Sequence, residues 1–225
     1  MFKKIKGKTL ITGFHGIGMV GFIAIDYLIK KLGAKKIGWI HKEYLPCVVF
    51  STKKRLEMPI EFYEFEDAVF MKINLVLEKK VLGKFLKELF IEINKNKPKK
   101  ILIVGGLATN ERNIYGVTNT FGTPLLKELK LKHFPKDITV FGPMAGTLIE
   151  SERLKIPSVC ILPNASPNLP DPEAASRAIT KLSKYLNFKI NVSDLKKEAK
   201  KIEKRMNEMK AKTEVKDELS ERMFV

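Results

Sequence analysis

The stretch KTLITGFHGIGMVGFIAIDYLIKKL, residues 8–32, decides the fold. Thr9-Leu10-Ile11-Thr12 is a short β-branched and aliphatic run, long enough only for a strand. Glycines follow at Gly13, Gly16, Gly18 and Gly21. From Val20 to Leu32 apolar residues crowd together as in a largely buried helix, and Gly33 is placed to close it. A strand, a glycine turn and a buried helix make the first half of a βαβ unit.

The turn contains Gly16-Ile17-Gly18-Met19-Val20-Gly21, a literal GxGxxG. In a dinucleotide fold such glycines let a pyrophosphate rest on the helix N-terminus. Here Gly13-Phe14-His15 intervenes between the strand and the match. The acidic residue expected about 20 residues on is represented only by Glu43, beyond the second strand. The other reading of Gly13, Gly16, Gly18 and Gly21 is close packing of helix on sheet. Both remain open at this point.

Working outward, residues 36–41 (KIGWIH) and Cys47–Ser51 read as strands, with Lys53–Glu57 a polar turn. Pro59–Glu66 alternates Ile60, Phe62 and Phe65 with Glu61, Glu64 and Glu66, which predicts a strand with one wet face. Ala68–Leu77 forms a hairpin with it. Val81, Leu82, Phe85, Leu89 and Ile93 share one face of a helix over Glu78–Asn96, ended by Pro98. Lys100–Val104 has the wholly apolar character of a central parallel strand. Leu107–Gly122 reads as a long polar loop of the kind that binds ligands at strand carboxyl ends. Leu125–Leu131 is helical, and Ile138–Phe141 is a strand leading through Gly142-Pro143 into a helix to Lys155. Ser158–Leu162 is the last strand, and Asp171 caps a helix over Glu173–Leu186 with Pro172 at its first position. The order argues an α/β fold with a mostly parallel mixed sheet flanked by helices.

The chain of 225 residues carries 42 Lys+Arg against 25 Asp+Glu, a net charge of +17. The lysines are scattered over helix faces and turns with few aromatics between them, which argues against specific nucleic-acid binding. No apolar run approaches the roughly 20 residues of a transmembrane helix, and the basic N-terminus lacks a signal-peptide core. The reading is a cytoplasmic protein with no membrane partner. Cys47 and Cys160 sit in apolar runs and read as buried thiols, not as a disulfide or metal pair. No P-loop, GxSxG, HExxH or CxxC appears. No catalytic residue, metal or cofactor is therefore assigned, although Glu111, Arg112 and Asn119 share the long loop and lie within reach of a site with His15.

Read together, several stretches resemble the proteasome assembly chaperone family, in its archaeal branch related to the second assembly chaperone. They are Gly13–Gly21 opening the helix at Ala24–Ile29, Tyr44-Leu45-Pro46, Gly105-Gly106-Leu107, Tyr115–Asn119, Gly142–Gly146 and Asp171–Ala175, in order over residues 8–195. The resemblance implies a phosphorylase- or nucleosidase-like sandwich, proteasome α-subunits as partners and a homo-oligomer. It also carries an alternative, a nucleotide-dependent enzyme of ATP-grasp-like ligase or nucleosidase type using Gly13–Gly21 and Asn119. Nucleosidases of that fold place a Met-Glu pair near the nucleoside, whereas Met144 here is followed by Ala145.

The C-terminal part reads as separate modules after a core of residues 1–190. Over 191–212, Val192, Leu195, Ala199, Ile202, Met206 and Met209 are spaced 3 and 4 apart, an amphipathic seam suited to oligomerisation or to packing on the core. Residues 213–225 read as a flexible polar tail ending in Met223-Phe224-Val225. That ending resembles the hydrophobic–tyrosine–any-residue terminus with which proteasome activators dock between α-ring subunits, with Phe224 in place of tyrosine. The resemblance makes Met223, Phe224 and Val225 partner-binding residues.

Overall fold

In the computed structural model, residues 2–52, 55–109, 111–134, 136 and 139–202 are described. The first strand, β1 (Thr9–Gly13), leads through a short 3-10 turn at Ile17–Met19 into α1 (Val20–Leu32). Gly33 closes α1 with φ +63°, a left-handed conformation that costs glycine little. Then come β2 (Lys35–Ile40), a small hairpin of β3 (Phe50–Ser51) and β4 (Leu56–Glu57), and the hairpin β5 (Ile60–Phe65) and β6 (Ala68–Ile73). They are followed by α2 (Lys79–Lys95), β7 (Lys100–Val104), β8 (Ile114–Thr118), α3 (Thr123–Glu128) and β9 (Lys132–His133). The remaining elements are α4 (Gly142–Arg153), β10 (Ser158–Pro163) and α5 (Pro172–Leu186).

Eight strands form one mixed sheet in the order β2-β5-β6-β1-β7-β10-β8-β9. Its centre, β6-β1-β7-β10, is parallel, and β5, β2 and β8 join antiparallel to their inner neighbours. β1 and β6 are buried at every position, as parallel strands covered on both faces must be. One face packs Ile11, Phe70, Leu102 and Ile161 beneath α1, α3 and α5. The other packs Leu10, Met71, Ile103 and Cys160 beneath α2 and alongside α4. The result is the three-layer α/β sandwich anticipated from the sequence.

Five local expectations are corrected. Pairing over Cys47–Ser51 is confined to Phe50–Ser51, whose partner β4 lies inside the expected polar turn. The long loop contains β8, where Tyr115 is buried and Val117 partly buried against the core while polar neighbours hide the alternation. Of the strand expected over Ile138–Phe141, residues 139–141 form none, and Phe141 is extended at the N-cap of α4 without a side-chain cap; Ile138 lies outside the described residues. Cys160 is buried as expected, but Cys47 is exposed beside the outer edge strand.

The fifth concerns β5, whose expected wet face is dry at Glu61 and partly open only at Glu64. Glu61 is 0 % exposed. It pairs with Lys36 and accepts hydrogen bonds from the Tyr63 hydroxyl (2.5 Å) and the Met58 amide (3.1 Å). Beside it, Lys72 on β6 is 4 % exposed between Asp26 of α1 (2.8 Å) and Glu57 of β4 (2.6 Å). Arg55, bonded to Tyr63, joins the two groups. Charges paired with one another fill the space between α1 and the β3–β4 hairpin. Burial alone would raise the carboxyl pKa of Asp26, but hydrogen bonds and charge from Lys30 and Lys72 bring it below 3.8. Burial likewise opposes ionisation of Glu61, and Lys36, Tyr63 and the Met58 amide override it, holding its pKa below 4.5.

Candidate functional site

β1, β7 and β10 end together, and the crevice above their carboxyl ends is where an α/β sheet ordinarily takes a ligand. A cavity of about 140 Å³ lies there, walled by Phe14, His15, Ile17, Leu107, Phe134 and Met144 among others. The residues that build it are the glycine turn after β1, Gly105-Gly106 after β7 and the start of α4.

The glycines are accounted for by packing. A Cβ on Gly21 would stand 2.6 Å from the Phe14 amide nitrogen and closer still to the Val104 carbonyl oxygen. One on Gly13 would stand 2.6 Å from the Gly21 Cα, so α1 is pressed directly onto β1 and β7. Gly106 meets the Ile17 carbonyl in the same way. Gly18 has φ +62°, and a Cβ there would lie 3.0 Å from that of Asp171 and 3.1 Å from that of Ala165. The Gly18 carbonyl accepts the Asp171 amide at 2.8 Å. The segment before α5 therefore occupies the approach to Gly18, and its Asp171 carboxylate accepts from the Ala174 and Ser166 amides. Gly16 differs: a Cβ there would meet nothing within 4 Å.

His15 stacks on Phe22 with ring centroids 4.3 Å apart, and its Nδ1 is buried without a hydrogen-bond partner. Burial lowers its pKa below 6.5, only partly countered by a hydrogen bond to the Leu75 backbone. The other polar residues of the long loop do not join it. Glu111 accepts from Asn113, Tyr115 and Lys132, which pull its pKa down to about 2, with the Tyr115 hydrogen bond foremost. Arg112 pairs with Glu173. Asn119 is spent on backbone: its Nδ2 donates to the Ile156 carbonyl, and its Oδ1 accepts from Gly122 and Ser158. It staples β8 to β10 and does not wall the cavity.

The seam expected over residues 191–212 is described in part. Residues 193–202 are helical, Leu195 is 3 % exposed in the core with α1 and α5, and Ala199 and Ile202 are partly exposed. The Tyr27 hydroxyl donates to the Asn191 carbonyl (2.7 Å) and Lys31 pairs with Asp194 (2.5 Å), which fastens the entry of this helix to α1. Met206, Met209, Met223, Phe224 and Val225 lie outside the described residues. Among the described residues no helix is long and apolar enough to cross a membrane. No group of three or more His, Cys, Asp or Glu there is arranged to hold a metal.

The model of the PAC2 family matches residues 10–210. The chain belongs to the PAC2 family. An uncharacterised protein of Methanocaldococcus jannaschii, MJ0106, is 27 % identical over 204 residues, covering 89 % of this chain and 84 % of the relative. Among solved structures, Pyrococcus furiosus PbaA, described as an archaeal homologue of proteasome-assembly chaperone, matches with a TM-score of 0.81 at 24 % identity. The match covers 91 % of this PAC2 chain and 92 % of PbaA. P. furiosus PbaB, described as an archaeal proteasome activator, matches with a TM-score of 0.78 at 18 % identity, over 92 % and 94 % of the two chains. At these identities the structural likeness establishes the fold. The buried Lys72 and Glu61 pairs escaped sequence reading. The signal available was a lone lysine within the apolar run VFMKINLVL (residues 69–77) and a glutamate in a strand of Ile, Phe and Tyr.

Proposed function

We propose that this PAC2 protein is a proteasome assembly chaperone-like adaptor that binds proteasome α-subunits or the α-ring in the cytoplasm. The observation that carries the reading is the family match over residues 10–210, with a fold shared with PbaA and PbaB over 91 % and 92 % of this chain. The filled approach to Gly18 supports a binding protein over a nucleotide enzyme, because the turn is spent on packing. In this reading residues 1–190 form the core and 191–212 an amphipathic helix whose first turn packs on it through Leu195. Residues 213–225 carry the anchor Met223-Phe224-Val225, whose ring and terminal carboxylate enter a pocket on the ring.

A single buried phenylalanine contributes about 1.5–3 kcal/mol, too little to hold one flexible tail against the cost of association. Several tails on a homo-oligomer would bind by avidity. The test is capture of purified α-subunits and α-ring by the full chain. Deleting Met223–Val225, changing Phe224→Ala, or adding residues after Val225 should each weaken ring capture sharply while leaving the melting temperature unchanged. Undiminished capture by all three would remove the tail from the mechanism; absence of capture by the full chain would remove the function.

The rival, a nucleotide-dependent ligase or nucleosidase, draws on the unpartnered Nδ1 of His15 in the cavity. A nucleotide or nucleoside at 100 times its dissociation constant would add about 2.7 kcal/mol to stability. A clear rise in melting temperature with ATP, NAD or a nucleoside would favour that rival.

A further inference from the structure

α4 buries two hydroxyls and exposes two large apolar side chains. Its inward face carries Thr147 at 1 % and Ser151 at 0 % exposure. The Thr147 hydroxyl donates to the Pro143 carbonyl at 2.8 Å; that of Ser151 donates to the Leu148 carbonyl (2.9 Å) and meets Ser158 Oγ at 2.6 Å. Outward, Phe141 at the N-cap is 73 % exposed and Ile149 is 65 % exposed. Ala145 lies between them, partly exposed, whereas Met144 and Leu148 pack against the core. A surface helix ordinarily turns its polar residues to water. Two large apolar side chains standing outward over buried hydroxyls mark a face that is covered by something.

Charge indicates what covers it. Residues 139–152 contain no lysine or arginine, in a chain that has 42 of them and a net charge of +17. The one basic residue of α4, Arg153, is paired with Glu150 at 2.7 Å. Two copies of so basic a protein repel wherever lysines face lysines, and α4 offers a surface free of that repulsion. We propose that α4 is the contact between two copies of this chain, packed antiparallel across a twofold axis at Ala145. A twofold contact must be self-complementary, and the spacing meets that requirement. Phe141 and Ile149 each lie four residues from Ala145, so Phe141 of either copy covers Ile149 of the other. The pair spans about 12 Å along the helix, and the small Ala145 lets the two backbones approach at the centre. Phe121, 39 % exposed, extends the surface, because the neighbouring Thr120 amide is bonded to Glu152 of α4 (2.8 Å). A helix of this length supplies only part of the roughly 800 Å² per partner of a stable interface, so the contact exchanges and depends on concentration.

The inference is independent of proteasome binding and of the tail, and its test is the mass of the purified full chain. Sedimentation over a wide concentration series should show the mass rising from one copy toward two or a multiple of two. Ile149→Glu and Phe141→Glu should each raise the dissociation constant at least about tenfold, the scale of a truncated central contact. Both residues are exposed in the single copy, so the melting temperature should hold. In a Cys47→Ser background, Ala145→Cys should form a disulfide between copies on oxidation, since the two Cα atoms then lie within the reach of about 7 Å. A single-copy mass at every concentration would overturn the proposal. So would a mass indifferent to both glutamate substitutions, including one that falls instead with Ile202→Glu and so places self-association on the C-terminal helix.

Discussion

α1 and α4 both start near the rim of one cavity, yet they use their residues in opposite ways. α1 buries Val20, Ala24, Ile25, Leu28 and Ile29 and presses two glycines against strand backbone. α4 buries Thr147 and Ser151 and leaves Phe141 and Ile149 in water. The difference shows that apolar content in a helix beside the cavity does not fix which face turns inward. For α1 the fold itself needs the apolar face. For α4 the core uses Met144 and Leu148 and leaves Phe141 and Ile149 outside it.

The comparison breaks most sharply at Gly21. Gly21→Val places a branched side chain where even a Cβ overlaps the Phe14 and Val104 backbone. Relief requires moving α1 off the sheet, so destabilisation should exceed about 4 kcal/mol, read as loss of the folded protein in denaturant titration. A cooperative, near-normal unfolding midpoint would show that α1 does not clamp the sheet.

Next in size is Lys72→Met. Removing the cation leaves Asp26 and Glu57 facing each other beneath the hairpin, which costs about 3–5 kcal/mol for a broken buried pair. The same network sets a pH dependence. Asp26 and Glu61 have folded-state pKa values below 3.8 and 4.5. Their contribution is complete above those values and is lost as pH falls through the lower folded-state values. Unfolding midpoints measured downward from pH 5 should therefore decline, and the share due to Asp26 should shrink in Lys72→Met, where Lys30 alone still holds that carboxylate. A flat profile in the unsubstituted protein would contradict the paired geometry.

What was legible in the sequence follows the same division. β1, α1, α2, β7, β10 and the Asp171 cap were readable because apolar period, capping chemistry and burial agree there. β8 was not, because Thr118 and Asn119 look like loop residues until β10 lies beside them. Glu61 and Lys72 misled because a charge at strand spacing signals water unless a partner comes from elsewhere in the chain; theirs lie 25 and 46 residues away, at Lys36 and Asp26. The cavity was foreshadowed by Gly13–Gly21. The role of those glycines was not, since packing against a neighbouring strand leaves the same signature as cradling a phosphate.

Smaller effects sharpen the boundary between core and exposed surface. Leu195→Ala removes a side chain seated with α1 and α5 and should cost about 2–4 kcal/mol in thermal unfolding. A cost well below that would mean the C-terminal helix detaches from the domain at its first turn. Thr147→Val keeps the volume and gives up a bond to a helix carbonyl four residues back. It should change stability by no more than about 1 kcal/mol, which would show that α4 tolerates an apolar inner face and is not polar there from necessity.

The smallest effect is expected at Gly16, and it tests the reading of the whole turn. Gly16 has φ −148°, extended backbone that any residue adopts, and an added Cβ meets nothing within 4 Å. If the turn is a packing device, Gly16→Ala should lie within about 0.5 kcal/mol of the unsubstituted protein and leave α-ring capture intact. If the turn receives a phosphate, Gly16 opens the GxGxxG match as the glycine of the tight turn, so a methyl group there would distort the turn that holds the ligand. Thermal unfolding with and without ATP or NAD separates the two. Identical melting curves for both proteins, unmoved by either nucleotide, belong to packing; a nucleotide-dependent rise that Gly16→Ala abolishes would restore the turn as a ligand site and reverse the contrast between α1 and α4.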